Sequence, residues 1–225
     1  YDPEVWSMLS NQLGLCGIAV AEQFGGAGFG PQELAIACEE MGRALYCGPY
    51  LASAVCAAYA LSQTADDDHK RRWLPEIASG GLIACLAVTE HAPMWSEDDV
   101  QTVASSSPDG GHVLNGEKRF VIDAQVAGLI LVAARNGENQ IGLYAVEANA
   151  RGLTRNAMPS MDPTRKLNQL ILADTPAEHL GPVDLQDLMD YTLVALANEM
   201  IGGAQTLLQS ALDYTQLRVQ FGRSI

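Results

Sequence analysis

The chain has 225 residues, 48% hydrophobic and 18% charged, which excludes a disordered polymer and leaves room for one large domain or several layers around a shared core. Its 27 acidic residues against 13 Lys and Arg give a net charge of −14, which excludes a nucleic-acid surface built on clustered cations. Cys16, Cys38, Cys47, Cys56 and Cys85 show no C-x-x-C spacing, and this odd count in apolar surroundings predicts reduced, buried thiols and a cytoplasmic protein.

The first 81 residues read as helical. Asp2 followed by Pro3 predicts an N-cap with proline at the first helical position, opening a helix to Leu15. Gly25-Gly26-Ala27-Gly28-Phe29-Gly30 invites a dinucleotide fingerprint, but Pro31 stands where the third glycine would fall and no βαβ pattern surrounds it. A tight loop is predicted there instead. It leads into a helix from Pro31 to Tyr46 with Leu34, Cys38, Met41 and Leu45 on one face. Leu51 to Ser62 is small and apolar and predicts a buried helix. Its most apolar run, Leu51 to Leu61, is too short to span a bilayer, so no membrane is expected as a partner. No signal peptide is visible, and the chain opens on Tyr1, which predicts a trimmed N-terminus. Asp66 to Ser79 forms a fourth helix, with acids at its start, Lys70-Arg71-Arg72 after them and Gly80-Gly81 as its stop.

From residue 82 to 183 the pattern changes. Leu82–Thr89, Val100–Ala104, His112–Leu114, Leu129–Ala133, Ile141–Val146 and Leu167–Leu172 read as short strands. Turn signals lie among them at 108–111, Asn115-Gly116, Asn136-Gly137 and Arg151-Gly152. Hairpin spacing without helices between predicts an antiparallel barrel or sandwich. From 184 to 225 helix returns: Leu185, Met189, Leu193, Leu196, Met200, Ala204, Leu208 and Ala211 form one stripe, with no proline before Gly222. Such a helix would run about 55 Å, and a chain this small cannot cover it, so further helices, a partner subunit or both are expected. The predicted class is α+β, divided at 1–81, 82–183 and 184–225.

Two segments could carry chemistry. Leu86-Ala87-Val88-Thr89-Glu90 ends an apolar strand with a hydroxyl and a carboxylate, and such an end can offer backbone N–H groups and one O–H to a flat heterocycle such as a flavin. A strand end merely capped by Thr89 is the plain alternative. Arg218-Val219-Gln220-Phe221-Gly222 closes the long helix. There Arg218 could pair with helix-end carbonyls or grip a pyrophosphate, Gln220 adds an amide and Phe221 a stacking face. His69, His91, His112 and His179 lack metal-ligand spacing, Glu97-Asp98-Asp99 reads as a solvated loop, and no nucleophile elbow is present.

Together these segments resemble the acyl-CoA dehydrogenase family along essentially the whole chain. The resemblance is carried by 14–17 and 22–28, by Glu39-Glu40-Met41-Gly42-Arg43-Ala44-Leu45, by Leu74-Pro75 and Gly80, by Ala87-Val88-Thr89-Glu90, by 115–122 and by 218–225. It implies a helical N-terminal domain, a middle β-barrel and the first helix of a C-terminal four-helix bundle. It implies FAD, with the isoalloxazine against Val88, Thr89, Phe120 and Ile122, beside Leu86. It also implies that Arg218, Gln220 and Phe221 reach the adenosine-diphosphate part of FAD in a neighbouring subunit. The implied reaction is α,β-desaturation of an acyl-CoA thioester, with electrons passed on to an electron-transfer flavoprotein. The Glu base is expected beyond Ile225, so no catalytic residue is assigned.

Three departures from the family pattern bear on that site. Where the family carries a small-residue loop after Thr-Glu, this chain has His91-Ala92-Pro93-Met94-Trp95-Ser96-Glu97-Asp98, with Ser96 as the candidate substrate contact. Ile122 replaces a hydroxyl residue, and Leu193 stands where some members place an Arg for the CoA nucleotide. With the 218–221 contacts kept, and 161–166 also similar, the chain most resembles actinobacterial steroid-CoA dehydrogenases that assemble as α2β2 heterotetramers. A non-catalytic subunit completing a homologous partner's FAD site is the alternative, and an ordinary homotetramer is the third reading.

Overall fold

The computed structural model describes residues 1–91, 97–107 and 110–225. Helices fill the first part. α1 (Pro3–Ser7) starts on Asp2, whose carboxylate accepts from Glu4 N at 2.8 Å, and continues as a wider π turn over Met8–Gln12. The glycine-rich segment is a tight loop, laced to the chain before it by Ala27 N→Gly17 O and Gly28 N→Val20 O. It feeds α2 (Pro31–Arg43). The apolar run forms a π-helical stretch, Leu51–Ala57, every residue of it buried, and then α3 (Ala58–Thr64). α4 (Asp67–Ala78) begins on the N-cap Asp66.

Seven strands follow: β1 (Ala84–Ala87), β2 (Val103–Ser106), β3 (His112–Ile122), β4 (Leu129–Arg135), β5 (Ile141–Glu147), β6 (Leu153–Ala157) and β7 (Leu167–Pro182). The order β4-β2-β3-β7-β5 returns to β4, because β4 also pairs with β5, so the sheet closes into a barrel. β1 and β6 add to it, on β4 and β7. The pairing is antiparallel, that of β4 with β5 included, except that β4 runs parallel to β1 and touches β2 in parallel through Val103 and Arg135. Leu114, Ile130, Leu131, Leu143 and Leu170 on its strands are fully buried, those of β4 on both faces.

Several sequence expectations change here. Asn115-Gly116 is not a turn but lies inside β3, opposite a bulge in β7. Asn115 exchanges two 2.9 Å hydrogen bonds with Asp174, the left-handed residue of that bulge. Gly116 is needed because a Cβ there would stand 2.8 Å from Thr102 Cα. β6 was not foreseen, and β7 runs ten residues past the predicted Leu172 end, because its second half pairs β5. Cys47 also departs: it is exposed, whereas Cys16, Cys38, Cys56 and Cys85 are buried and free.

α5 (Leu185–Leu217) is N-capped by Asp184 and packs mainly against α2. Leu193, Val194, Met200, Ile201, Leu207, Leu208 and Leu212 on it are exposed. The helix does not reach Gly222 as predicted. It stops at Leu217, and β8 (Val219–Gln220) and β9 (Arg223–Ser224) form a small hairpin. Phe221 and Gly222 turn it, both at positive φ, the pairing suited to a two-residue hairpin turn.

Candidate functional site

β1 runs out of the barrel beside β3, and the gap between them is a cavity of about 150 Å³. Its lining includes Leu86, Val88, Thr89, Phe120 and Ile122, so five residues singled out in the sequence come together in one place. Arg119 and Val121 complete the β3 side, and the far wall is Ala52, Cys56 and Thr192. The wall residues come from the π-helical stretch and α5 and were missed in the sequence, where the smallness of Leu51–Ala57 was the only signal. That stretch is locked to β1 by Ala84 N donating to Ser53 Oγ at 3.0 Å.

The backbone at the mouth is unusual. Lys118 pairs with Leu170 and Val121 with Asn168, so Arg119 and Phe120 together face Gln169 alone. At this bulge Phe120 takes φ +55, a left-handed conformation costly for an aromatic residue, and its ring is half exposed. Arg119 N donates to Thr89 O at 2.8 Å and so ties the bulge to the end of β1.

Behind this mouth lies a charge pair that the sequence reading did not single out. Lys118 Nζ is 2.7 Å from Glu90 Oε1, with the two side chains 0% and 3% exposed. Nζ also donates to Val88 O at 3.0 Å. Glu90 further accepts from Gln101 N and Thr102 N, each at 2.9 Å, and from Thr102 Oγ1 at 2.8 Å. Burial alone would raise the Glu90 carboxyl, but the Lys118 charge and these donors hold it below its usual range. Burial pushes the Lys118 ammonium down to about 8, against the pull of Glu90. Across the cavity, Cys56 Sγ lies 3.4 Å from Thr192 Oγ1, and burial raises its thiol to about 11, so it is neutral.

The remaining candidates lie elsewhere. Arg218 is not on the last helical turn but is the extended C-cap of α5, with its guanidinium 2.5 Å from the Tyr214 hydroxyl. Gln220 sits in the hairpin, and Phe221 is 100% exposed at its tip. None of the three lines the cavity. Ser96, with Met94 and Trp95, lies outside the described residues. Among the described residues no group of three or more His, Cys, Asp or Glu is placed to hold a metal ion, and no helix is long and apolar enough to cross a membrane. His112 and His179 instead pack with Tyr144, at ring separations of 4.9 to 5.6 Å.

A closed barrel packed beside helices, with a cavity at the end of β1, defines a class of fold that the comparisons identify. The family model for the acyl-CoA dehydrogenase N-terminal domain matches residues 1–81. Acyl-CoA dehydrogenase IpdE2 of Mycobacterium tuberculosis is 32% identical over 231 residues, covering 100% of this chain and 57% of the relative. Among solved structures, a variant of the Tcur3481–Tcur3483 steroid ACAD superposes with TM-score 0.87 at 30% identity, over 99% of this chain and 60% of that one. A Bacillus anthracis acyl-CoA dehydrogenase complexed with FAD shares the fold, with TM-score 0.89 at 22% identity over 98% of this chain and 40% of that one. The chain belongs to the acyl-CoA dehydrogenase family. It spans 57% of the length of IpdE2.

Proposed function

We propose that this chain is part of an FAD-dependent acyl-CoA dehydrogenase subunit that desaturates an acyl-CoA thioester, a steroid side-chain thioester being the favoured substrate. The observation that carries the reading is the convergence of Leu86, Val88, Thr89, Phe120 and Ile122 on one cavity. The residues suit a flat ring system: apolar walls from two strand edges, a hydroxyl at Thr89, and backbone opened by the Arg119–Phe120 bulge. FAD, when bound, supplies the acceptor for the hydride lost from the substrate's β carbon.

The chain's own residues bind and shape. Leu86, Val88 and Ile122 exclude water from the ring face, and Phe120 covers the mouth. Cys56, Thr192 and Ala52 face them from the helices and would border the acyl group. No carboxylate is among the described residues that line the cavity, so none of them removes the α proton. Arg218, Gln220 and Phe221, clear of this cavity and exposed on a hairpin, suit a partner subunit's cofactor. The exposed apolar face of α5 favours assembly into a tetramer with a related subunit. An electron-transfer flavoprotein is the proposed acceptor.

The test is anaerobic titration of the purified full-length protein, alone and with a related subunit, with acyl-CoA thioesters. Bleaching of a flavin band by a steroid side-chain thioester supports the reading. A flavin that stays oxidised with every thioester would refute it, and would favour a chain that only completes its partner's site.

A further inference from the structure

We propose that the buried Glu90–Lys118 pair is a positioning element for the cavity, holding the backbone of Val88, Thr89 and Phe120 in place without touching the cofactor. It rests on the reading that the cavity takes a flavin. The pair is completely desolvated, and a buried ion pair is commonly no more stabilising than apolar side chains of the same volume. What the charges supply here is direction. Lys118 grips the Val88 carbonyl, and Glu90 gathers Gln101 N, Thr102 N and the Thr102 hydroxyl. The exit of β1, the entry to β2 and the middle of β3 are thereby fixed to one point.

The consequence reaches the cavity by two short paths. In a trans peptide the N–H points opposite to the C=O, so the Lys118 bond to Val88 O also sets which way the Val88–Thr89 amide faces. Along β3, Lys118 is the last residue in register before the bulge, and Phe120 at φ +55 lies two residues on. A left-handed aromatic residue persists only where its surroundings over-determine it. The anchored Lys118 and the Arg119 N–Thr89 O bond before it, and Val121 back in register with Asn168 after it, do so. An apolar pair could fill the same volume but would leave the Val88 carbonyl without its charged donor.

The test uses the full-length protein, with its related subunit if flavin binding needs one, and 4-fluorophenylalanine at position 120. In the double variant Glu90→Gln/Lys118→Met both charges go together, so neither is left orphaned. The expected result is a cooperatively folded protein whose fluorine resonance shifts or broadens without flavin, whose FAD binding weakens at least tenfold, and whose visible band loses fine structure. An unchanged resonance with unchanged FAD affinity would overturn the proposal and leave the pair purely structural. If the resonance moves while the parent protein binds no flavin, positioning stands and the cavity reading fails. Should the double variant not fold, Thr102→Val removes one donor to Glu90. It should shift the same resonance in the same direction and weaken FAD two- to threefold, and no change in either would equally overturn the proposal.

Discussion

Gly42 and Gly202 let α2 and α5 cross backbone to backbone. A Cβ on Gly42 would fall 1.8 Å from the Glu199 carbonyl oxygen, and one on Gly202 1.9 Å from that of Glu39. The crossing is reinforced by Thr206 Oγ1 donating to Arg43 O at 3.0 Å, and the Arg165–Glu199 ion pair ties the same part of α5 to the connection between β6 and β7. Ten residues before Gly202 on the same helix, Thr192 Oγ1 lies 3.4 Å from Cys56 Sγ in the far wall of the cavity.

Gly42→Ala and Gly202→Ala should each destabilise the protein by about 1–3 kcal/mol, the usual cost of overpacking, despite the helix propensity gained. Gly203→Ala is the control, since its nearest neighbour, Gly42 O, would be at 3.5 Å, an ordinary contact. It should be neutral or stabilising by up to ~1 kcal/mol. Urea midpoints of the three variants check this, and equal behaviour would show that the helices do not meet as described.

Stability should fall on acidification through the Glu90 carboxyl. Its folded-state pKa lies below its ordinary value of 4.5. Its contribution is therefore complete above about pH 4.5 and is lost as pH drops through the depressed folded value. Glu90→Gln should lower stability at pH 7 and flatten the acid limb below pH 4.5. Denaturation series from pH 7 to 3 measure the difference, and parallel curves would contradict the assignment.

Asp123 has the opposite sign. Burial raises its carboxyl above the ordinary 3.8, with Arg165 opposing, so the folded protein takes up a proton more readily than the unfolded chain. The penalty for its charge is felt above the raised value and vanishes as pH falls toward 3.8 and below. Asp123→Asn should therefore stabilise the protein at neutral pH, by about 1 kcal/mol or more, and lose that advantage in acid. Thermal melts at pH 7 and pH 4 test it, with equal shifts at both as the contrary result.

Arg218→Ala should leave the stability of this chain within about 0.5 kcal/mol, because the residue is exposed and touches mainly Tyr214. In the assembled protein the same change should lower flavin content, if the hairpin serves a neighbouring subunit. Thermal melts read the first, and absorbance per protein reads the second. Loss of stability without loss of flavin would assign Arg218 a structural role.

The layer order was legible because it follows from periodicity: apolar residues at helical spacing in 31–46 and 185–211, short apolar runs between. The caps Asp2, Asp66 and Asp184 were equally local signals, although only the first was read as one. Asn115-Gly116 misled because its sequence suits both a turn and the bulge that Asp174 and Thr102 impose from afar. The end of α5 was misplaced because nothing in Arg218 or Val219 forbids helix, and only the turn at Phe221-Gly222 folds the hairpin back. Leu86, Val88, Thr89, Phe120 and Ile122 could be named from resemblance. Their far wall, Ala52, Cys56 and Thr192, comes from segments 30 to 106 residues away whose approach depends on packing. The Glu90–Lys118 pair was invisible for the same reason, since its partners lie 28 residues apart and look solvent-facing until the barrel closes.

The most direct test is the visible absorbance of the full-length protein, purified alone and after co-expression with a related dehydrogenase subunit, beside a Val88→Trp variant that fills the cavity. The account predicts a flavin band in the parent protein or its complex and a reduced flavin-to-protein ratio in the variant. A colourless parent in both preparations, or a filled-cavity variant with full flavin content, would contradict the claim that this cavity holds the isoalloxazine.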